Sequence, residues 1–194
     1  MKKNKISTYL ENQHIRALVD VMIFAIIIIF FHFLWWQGGL HKLLLTTFAF
    51  QETENFMAWM GFYPSAWIVD NILGIETKSI ERILYFSNGS SVEIDGTCSG
   101  LKQFYQWTIL MVLFPGPWKK KLWFIPTGIV VIHAFNILRI IILYLIMNWN
   151  PEVWYFSHDW ILRPFFYVVI FTMWMVWEEK FRLPALERKR REQE

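Results

Sequence analysis

The chain has 194 residues, of which 55% are hydrophobic and 19% aromatic, with 12 tryptophans and a formal net charge of +3. A water-soluble domain of this size rarely has such high fractions of hydrophobic and aromatic residues, so the composition predicts an integral membrane protein. Basic residues cluster beside apolar segments, which argues against nucleic-acid binding, and the single cysteine excludes an intramolecular disulfide and a Cys-rich zinc site.

The first apolar segment predicts an uncleaved transmembrane helix at 18–36. Residues 1–17 are polar and basic, and the run that follows is almost unbroken Ile, Phe, Leu and Val. Its length is close to the roughly 20 residues that cross the hydrocarbon of a bilayer. A cleaved signal peptide is the alternative, but no small-x-small site follows, and the two tryptophans that end the run are typical of a membrane interface.

The segment 37–100 predicts an extracytoplasmic or interfacial region. Its apolar stretches at 43–50 and 56–63 are short, and the acidic and amide residues between them would be costly against lipid. We interpret them as interfacial or re-entrant helices, with a pair of extra spans as the alternative. An Asn-Gly pair between two β-prone runs at 84–94 then predicts a short hairpin.

Three later apolar segments are predicted transmembrane helices: 101–117, 122–147 and 160–177. Between them lie a lysine-rich turn at 118–121 and a loop at 148–159, and a charged tail occupies 178–194. The fold class predicted for residues 1–194 is therefore one all-α polytopic membrane domain, a bundle of four helices or, in the alternative, six. Because basic residues gather at both termini and in the lysine turn, these parts are predicted to be cytoplasmic.

Cys98 lies where the polar segment meets the predicted span at 101–117. Thr97 and Ser99 are good helix caps, which would place the thiol near the positive end of a helix dipole. Gly100 would let backbone N–H groups approach a substrate, and Lys102 adds a positive charge one turn along. Such surroundings favour a thiolate. A buried, chemically inert cysteine is the alternative.

Two further residues are predicted to lie at the same level of the membrane as Cys98. Arg139 falls near the outer end of the third span, and His158 directly precedes the fourth. Asn136 stands one helical turn from Arg139. His133 is a rival base, but helix rise places it about 9 Å deeper than Arg139.

Each of these residues also has a plainer interpretation. Arg139 could extend to lipid headgroups, although intramembrane polar residues usually face a cavity. His158 could be an ordinary interfacial histidine, and Asp159, which could orient it, is more typical of a solvated loop acid. His32 and His41 have weaker claims to a function.

Three motifs together resemble the exosortase/archaeosortase family. They are Thr-Cys-Ser-Gly-Leu at 97–101, Asn-Ile-Leu-Arg at 136–139, and His-Asp before the last span, and the resemblance covers about 80–177. Members of that family are polytopic membrane cysteine transpeptidases or proteases. They recognise a C-terminal sorting signal on exported proteins, which consists of a short motif, a transmembrane segment and a basic tail.

The resemblance implies that Cys98 is the nucleophile and that Arg139 and His158 complete a triad. The triad would face the extracytoplasmic side of a bacterial inner membrane. The supporting positions are polar or small residues near the triad: Asn136, Lys102, Ser99 and Gly100. Two features depart from the family, since the chain is shorter than its eight-span members and Lys102 stands where relatives often have arginine.

The expected partners are an exported protein substrate and the lipid bilayer. No metal or organic cofactor is expected, because the sequence contains no metal-ligand pair at helical spacing and no Gly-rich phosphate loop. The alternative function is a non-catalytic membrane scaffold for export or for surface polysaccharide assembly. A third hypothesis is an acyltransferase that uses lipid thioester chemistry on Cys98.

Overall fold

The computed structural model describes residues 13–192, and most of these are helical. In chain order the α-helices are α1 (Gln13–Trp36), α2 (Leu40–Leu44), α3 (Phe48–Trp67), α4 (Leu101–Leu113), α5 (Trp118–Trp149), α6 (Trp154–Phe156), α7 (Arg163–Trp177) and α8 (Leu183–Arg191). Turns of π-helix extend α3 and join α6 to α7 and α7 to α8: Ile68–Ile72, Ser157–Leu162 and Glu178–Arg182. The helical content confirms the predicted all-α membrane architecture. Residues 1–12 of the predicted cytoplasmic N-terminus lie outside the described residues.

Three helices of the described chain are long and apolar enough to cross a membrane: Ile15–Trp36, Trp118–Trp149 and Pro151–Arg188. They contain three of the four predicted spans. The fourth, at 101–117, corresponds to α4, which has only 13 residues and therefore a length of about 20 Å. It stops early because Phe114 is extended and Pro115 follows. The crossing of the membrane at 101–117 stays a prediction.

The connections on either side of α5 are shorter than predicted. The lysines of the predicted turn at 118–121 belong to the first turns of α5, and the Lys121 ammonium donates to the carbonyl oxygen of Phe114 at 2.6 Å. That bond satisfies a carbonyl left free at the end of α4. The predicted loop at 148–159 is mostly helical, since Asn150 accepts the N–H of Glu152 at 3.0 Å and caps a new helical run.

A small antiparallel sheet lies between α3 and α4 in the chain. Its strands are β1 (Thr77–Ile80), β2 (Ile83–Phe86) and β3 (Ser91–Glu93), in that spatial order. The last two form the predicted hairpin, and Gly89 in its turn has φ of +83°. The first strand was not predicted, because its turn uses Glu81 at φ +52° and carries no glycine signal.

The sheet is fixed to the helices by its apolar face. Four of its side chains are buried there, on β2, on β3 and just beyond β3: Leu84, Phe86, Val92 and Ile94. They pack with Phe62 of α3 and with Ile140 and Tyr144 of α5 in one hydrophobic cluster. The chain therefore leaves the sheet at a defined place beside α3 and α5, and Cys98 follows within four residues of Ile94.

A buried ion cluster joins the first and last long helices. Arg182 Nη1 lies 2.6 Å from Asp20 of α1 and 2.7 Å from Glu178. The guanidinium also lies over the ring of Phe114, with its carbon 5.1 Å from the ring centroid. Asp20 is an acidic residue inside the first predicted span. Because a buried charge needs such compensation, its contact with Arg182 explains how the span accommodates it.

The contact between α4 and α5 depends on a glycine. A Cβ at Gly128 would lie 2.1 Å from the indole nitrogen of Trp107, a fully buried side chain that donates to the Ile125 carbonyl at 3.1 Å. Overpacking of this kind typically costs about 1–3 kcal/mol.

We therefore expect Gly128→Ala to lower the apparent melting temperature of the detergent-solubilised protein, even though alanine is the better helix former by about 1 kcal/mol. Val130→Leu is the matched control, because it adds one methylene to an exposed side chain of the same helix. Equal melting temperatures for Gly128→Ala and the control would contradict the close packing of Trp107.

Candidate active site

Cys98 ends a 3-10 turn, Gly96–Cys98, that is capped by Asp95. The Asp95 carboxylate accepts the backbone N–H of Cys98 at 3.2 Å and the hydroxyl of Thr97 at 2.7 Å. The expectation that Thr97 caps the helix is wrong, because its hydroxyl donates to Asp95 and the N-cap residue of α4 is Gly100. Ser99 does have a capping role, since its buried hydroxyl oxygen accepts the N–H of Leu101 at 3.2 Å.

Gly100 and Asn136 hold the turn against α5. Gly100 adopts φ of +79°, a left-handed conformation that lets the chain enter α4 directly after the turn. A Cβ there would lie 3.3 Å from the Asn136 amide. The same amide donates to the carbonyl oxygen of Cys98 at 3.0 Å. Both predicted supporting residues thus contact the segment that carries the thiol.

Arg139 and His158 are in direct contact. Arg139 Nη2 lies 2.8 Å from His158 Nε2, and both residues are buried. Because a guanidinium can only donate, His158 Nε2 must accept, so the imidazole is neutral with its proton on Nδ1. That proton is donated to Asp159, whose carboxylate oxygen lies 2.6 Å from Nδ1.

The imidazole is also held by stacking. The Trp154 ring lies parallel to the His158 ring, with an interplanar angle of 4° and centroids 4.9 Å apart. Asp159 contacts Arg163 as well, at 3.3 Å. Asp159 is exposed to solvent, as predicted, but it lies in a π-helical turn of the long C-terminal helix and not in a loop, and its contact with Nδ1 orients the His158 imidazole.

The thiol is not acidic in this structure, contrary to the expectation from helix caps. Burial raises the pKa of the Cys98 thiol above its usual value, because a thiolate loses hydration there. The positive charge of Arg139 acts in the opposite direction and lowers the thiol pKa, whereas Asp95 raises it. Arg139, from a distant helix, therefore supplies the positive charge that was expected from Lys102.

The other two predicted polar residues, Lys102 and His133, have different surroundings. The Lys102 ammonium lies 3.0 Å from His32 Nδ1 and 5.3 Å from the centroid of Trp36. The His133 ring packs beside Phe104, with centroids 6.4 Å apart, and its Nδ1 has no partner among the described residues. His133 is not among the residues that line the cavity around Cys98.

The predicted triad faces one cavity of about 690 Å³. This volume lies within the range of small-molecule and peptide-binding sites. Cys98, Arg139 and His158 all line it, as do Ser99 and Lys102 of the predicted supporting set. Its remaining walls are mainly aromatic or basic and include Trp35, Trp36, Arg163, Phe166 and Tyr167.

Two polar clusters in the cavity wall were not predicted. His41 Nε2 lies 3.1 Å from a carboxylate oxygen of Glu54, and His32 Nδ1 lies 2.6 Å from the Tyr167 hydroxyl. The available signal was the position of His32 inside the first apolar segment and of Glu54 between two apolar stretches, where a titratable side chain usually has a function. Their sequence separations gave no indication that they share a cavity with Cys98.

The chain was compared with known protein families, curated proteins and solved structures. The family model described as transmembrane exosortase matches residues 14–176 of the 194. No curated protein and no solved structure matches the chain. The match extends well beyond the three motifs and includes the first helix and the segment before the sheet. This chain belongs to the transmembrane exosortase family.

Proposed function

We propose that this protein is a membrane cysteine transpeptidase or protease that cleaves a C-terminal sorting signal of exported proteins. The observation that carries the proposal is the meeting of Cys98, Arg139 and His158 at one cavity, from three separate parts of the chain. Family membership supports the same class of reaction. A scaffold would have no need for a buried guanidinium in contact with a buried imidazole beside a thiol.

The resting site keeps the nucleophile neutral. Burial raises the pKa of the Cys98 thiol and so favours its protonated form, and the lone pair of His158 Nε2 is occupied by the Arg139 guanidinium. A substrate carbonyl in the cavity offers Arg139 a better acceptor, because negative charge develops on that oxygen during attack. Transfer of Arg139 from the imidazole to the carbonyl would free His158 Nε2 to accept the thiol proton.

Acylation then follows from the positions of these groups. The Cys98 sulfur attacks the scissile carbonyl, the thiol proton passes to His158, and Arg139 stabilises the oxyanion. Asp159 stabilises the imidazolium through its contact with Nδ1. His158 returns the proton to the leaving amine, the carbon–nitrogen bond breaks, and an acyl thioester remains on Cys98. An acceptor amine or water then resolves the thioester.

The charge pattern of the sequence supports an orientation for this chemistry. With both termini and the lysines near 119–121 in the cytoplasm, the site would face the outside of the inner membrane. The substrate would be an exported protein that ends in a short motif, a transmembrane segment and a basic tail. The aromatic walls of the cavity are suited to an extended apolar segment of such a chain.

A processing assay tests the proposal. Cells would express the protein together with a tagged exported substrate encoded nearby that carries a C-terminal transmembrane segment and basic tail. We expect Cys98→Ala, Cys98→Ser and Arg139→Ala each to lower the processed fraction at least 100-fold, because each removes a group that acts in acylation.

Arg188→Ala, a change of an exposed arginine in the tail, should process like wild type. Immunoblotting of membranes would show that all variants are present in equal amounts. If Cys98→Ala still processes the substrate, the proposed enzymatic function is refuted and the scaffold hypothesis remains. Palmitate label on Cys98 without cleavage would instead favour the acyltransferase.

The thiol gives a second test that needs no substrate. Because Arg139 lowers and Asp95 raises the thiol pKa, Arg139→Gln should move the pH profile of Cys98 alkylation by iodoacetamide to higher pH. Asp95→Asn should move it to lower pH. The chain contains only one cysteine, so the rate reports this thiol alone.

Arg82→Gln is the control for this measurement, since Arg82 contacts Asn55 beside the sheet. In the wild type, alkylation should be slower at neutral pH than in the denatured chain, because the folded thiol has the higher pKa. Coincident profiles for wild type and Arg139→Gln would show that the guanidinium does not act on the thiol.

A further inference from the structure

The cavity contains a second acid–base pair, formed by His41 of α2 and Glu54 of α3. His41 Nε2 lies 3.1 Å from a Glu54 carboxylate oxygen, and only 12% and 11% of the two side chains are exposed. Both residues line the same cavity as Cys98. Burial of a carboxylate and an imidazole is costly, and the acylation step described above uses neither.

The pair is held in an aromatic setting. The His41 ring stacks on Trp35, with centroids 5.3 Å apart and an interplanar angle of 26°. The edges of Trp36 and Phe50 contact the same ring, at centroid distances of 5.5 and 6.0 Å. An imidazole fixed on three sides has one orientation, which is the condition for directed proton transfer.

Glu54 also connects the pair to the nucleophile. A Cβ at Gly96 would lie 2.7 Å from the Glu54 carboxylate, so the absence of a side chain at 96 makes room for this acid. Gly96 begins the turn that Cys98 ends. The acid–base pair therefore stands against the segment that carries the thiol, whereas the Arg139–His158 pair approaches from α5 and the C-terminal helix.

The second half-reaction, in which the acceptor resolves the acyl thioester on Cys98, requires a base that such a pair could supply. After the leaving amine departs, His158 is neutral again and its Nε2 is the acceptor to which Arg139 returns. The acceptor amine or water must still lose a proton when it attacks the thioester. A base separate from His158 has its lone pair free from the start, whereas the Nε2 lone pair of His158 becomes free only when Arg139 moves to the thioester oxygen.

We infer that His41, positioned by Glu54, is the general base that activates the acceptor in thioester resolution. This inference rests on the proposed function. Glu54 accepts the Nε2 proton and leaves the Nδ1 lone pair of His41 for the acceptor. The acceptor nitrogen or oxygen forms a bond to the acyl carbon while its proton moves to His41. The carbon–sulfur bond breaks, the thiolate leaves with the electron pair, and the proton returns from His41 to the sulfur.

A burst assay separates the two half-reactions. p-Nitrophenyl acetate acylates a thiol and releases p-nitrophenolate, and Cys98 is the only thiol in the chain. The purified full chain should give a burst of one equivalent per protein, followed by steady turnover with water as the acceptor. We expect Glu54→Gln and His41→Gln to keep the burst and to lower the steady rate at least 10-fold, which is below the usual 100-fold contribution of a general base.

Hydroxylamine provides the readout that a structural role would not change. It attacks thioesters without a general base, so it should restore turnover in Glu54→Gln and His41→Gln to the wild-type rate measured with hydroxylamine. Glu52→Gln is the matched control, because it makes the same change at an exposed position of α3 and should leave both phases unaltered.

Each other outcome has a defined meaning. Wild-type steady rates in both variants would overturn the inference and leave the proposed function intact. Loss of the burst in Glu54→Gln and His41→Gln would also overturn it, since the pair would then be required for the shape of the site. A burst that persists in Cys98→Ala would instead refute the proposed function itself.

Discussion

The structure of the site depends on burying one positive charge, the Arg139 guanidinium, inside a bundle of apolar helices. Removing an ion from water costs several kcal/mol unless the protein supplies acceptors. Here the acceptor is His158 Nε2, and the ring of Phe166 covers the guanidinium, with its carbon 5.7 Å from the ring centroid. That single bond fixes the histidine tautomer, directs Nδ1 to Asp159, and leaves the guanidinium charge close enough to act on the thiol.

The site also requires that the Cys98 thiol lie close to the Arg139 guanidinium. The small sheet fulfils this requirement, because its apolar face packs on α3 and α5 and the chain leaves the sheet beside both helices. Asn136 then binds the Cys98 carbonyl one helical turn from Arg139. One helix, α5, thus holds both the backbone of Cys98 and the cation that acts on its thiol.

The same arrangement explains why the cavity has two polar ends. One end is formed by α5 and the C-terminal helix, with Arg139 and His158. The other is formed by α1, α2 and α3, with aromatic side chains around His41 and Glu54. Aromatic walls exclude water and strengthen every electrostatic contact inside. In the proposed mechanism, the two half-reactions use different groups and do not compete for one imidazole.

Hydropathy and turn chemistry determined that this is a polytopic helical membrane protein and that Asn88-Gly89 forms a hairpin turn. The resemblance of three short motifs to the exosortase family gave Cys98, Arg139 and His158 as its candidate triad. These features are local, since they depend on segment length, turn chemistry and short motifs. Only the tertiary structure decided that Asp159 orients His158, that burial raises the thiol pKa, and that His41 and Glu54 share the cavity. Burial and cross-helix contacts set these properties, and the distance between two side chains in space does not follow from their separation along the chain.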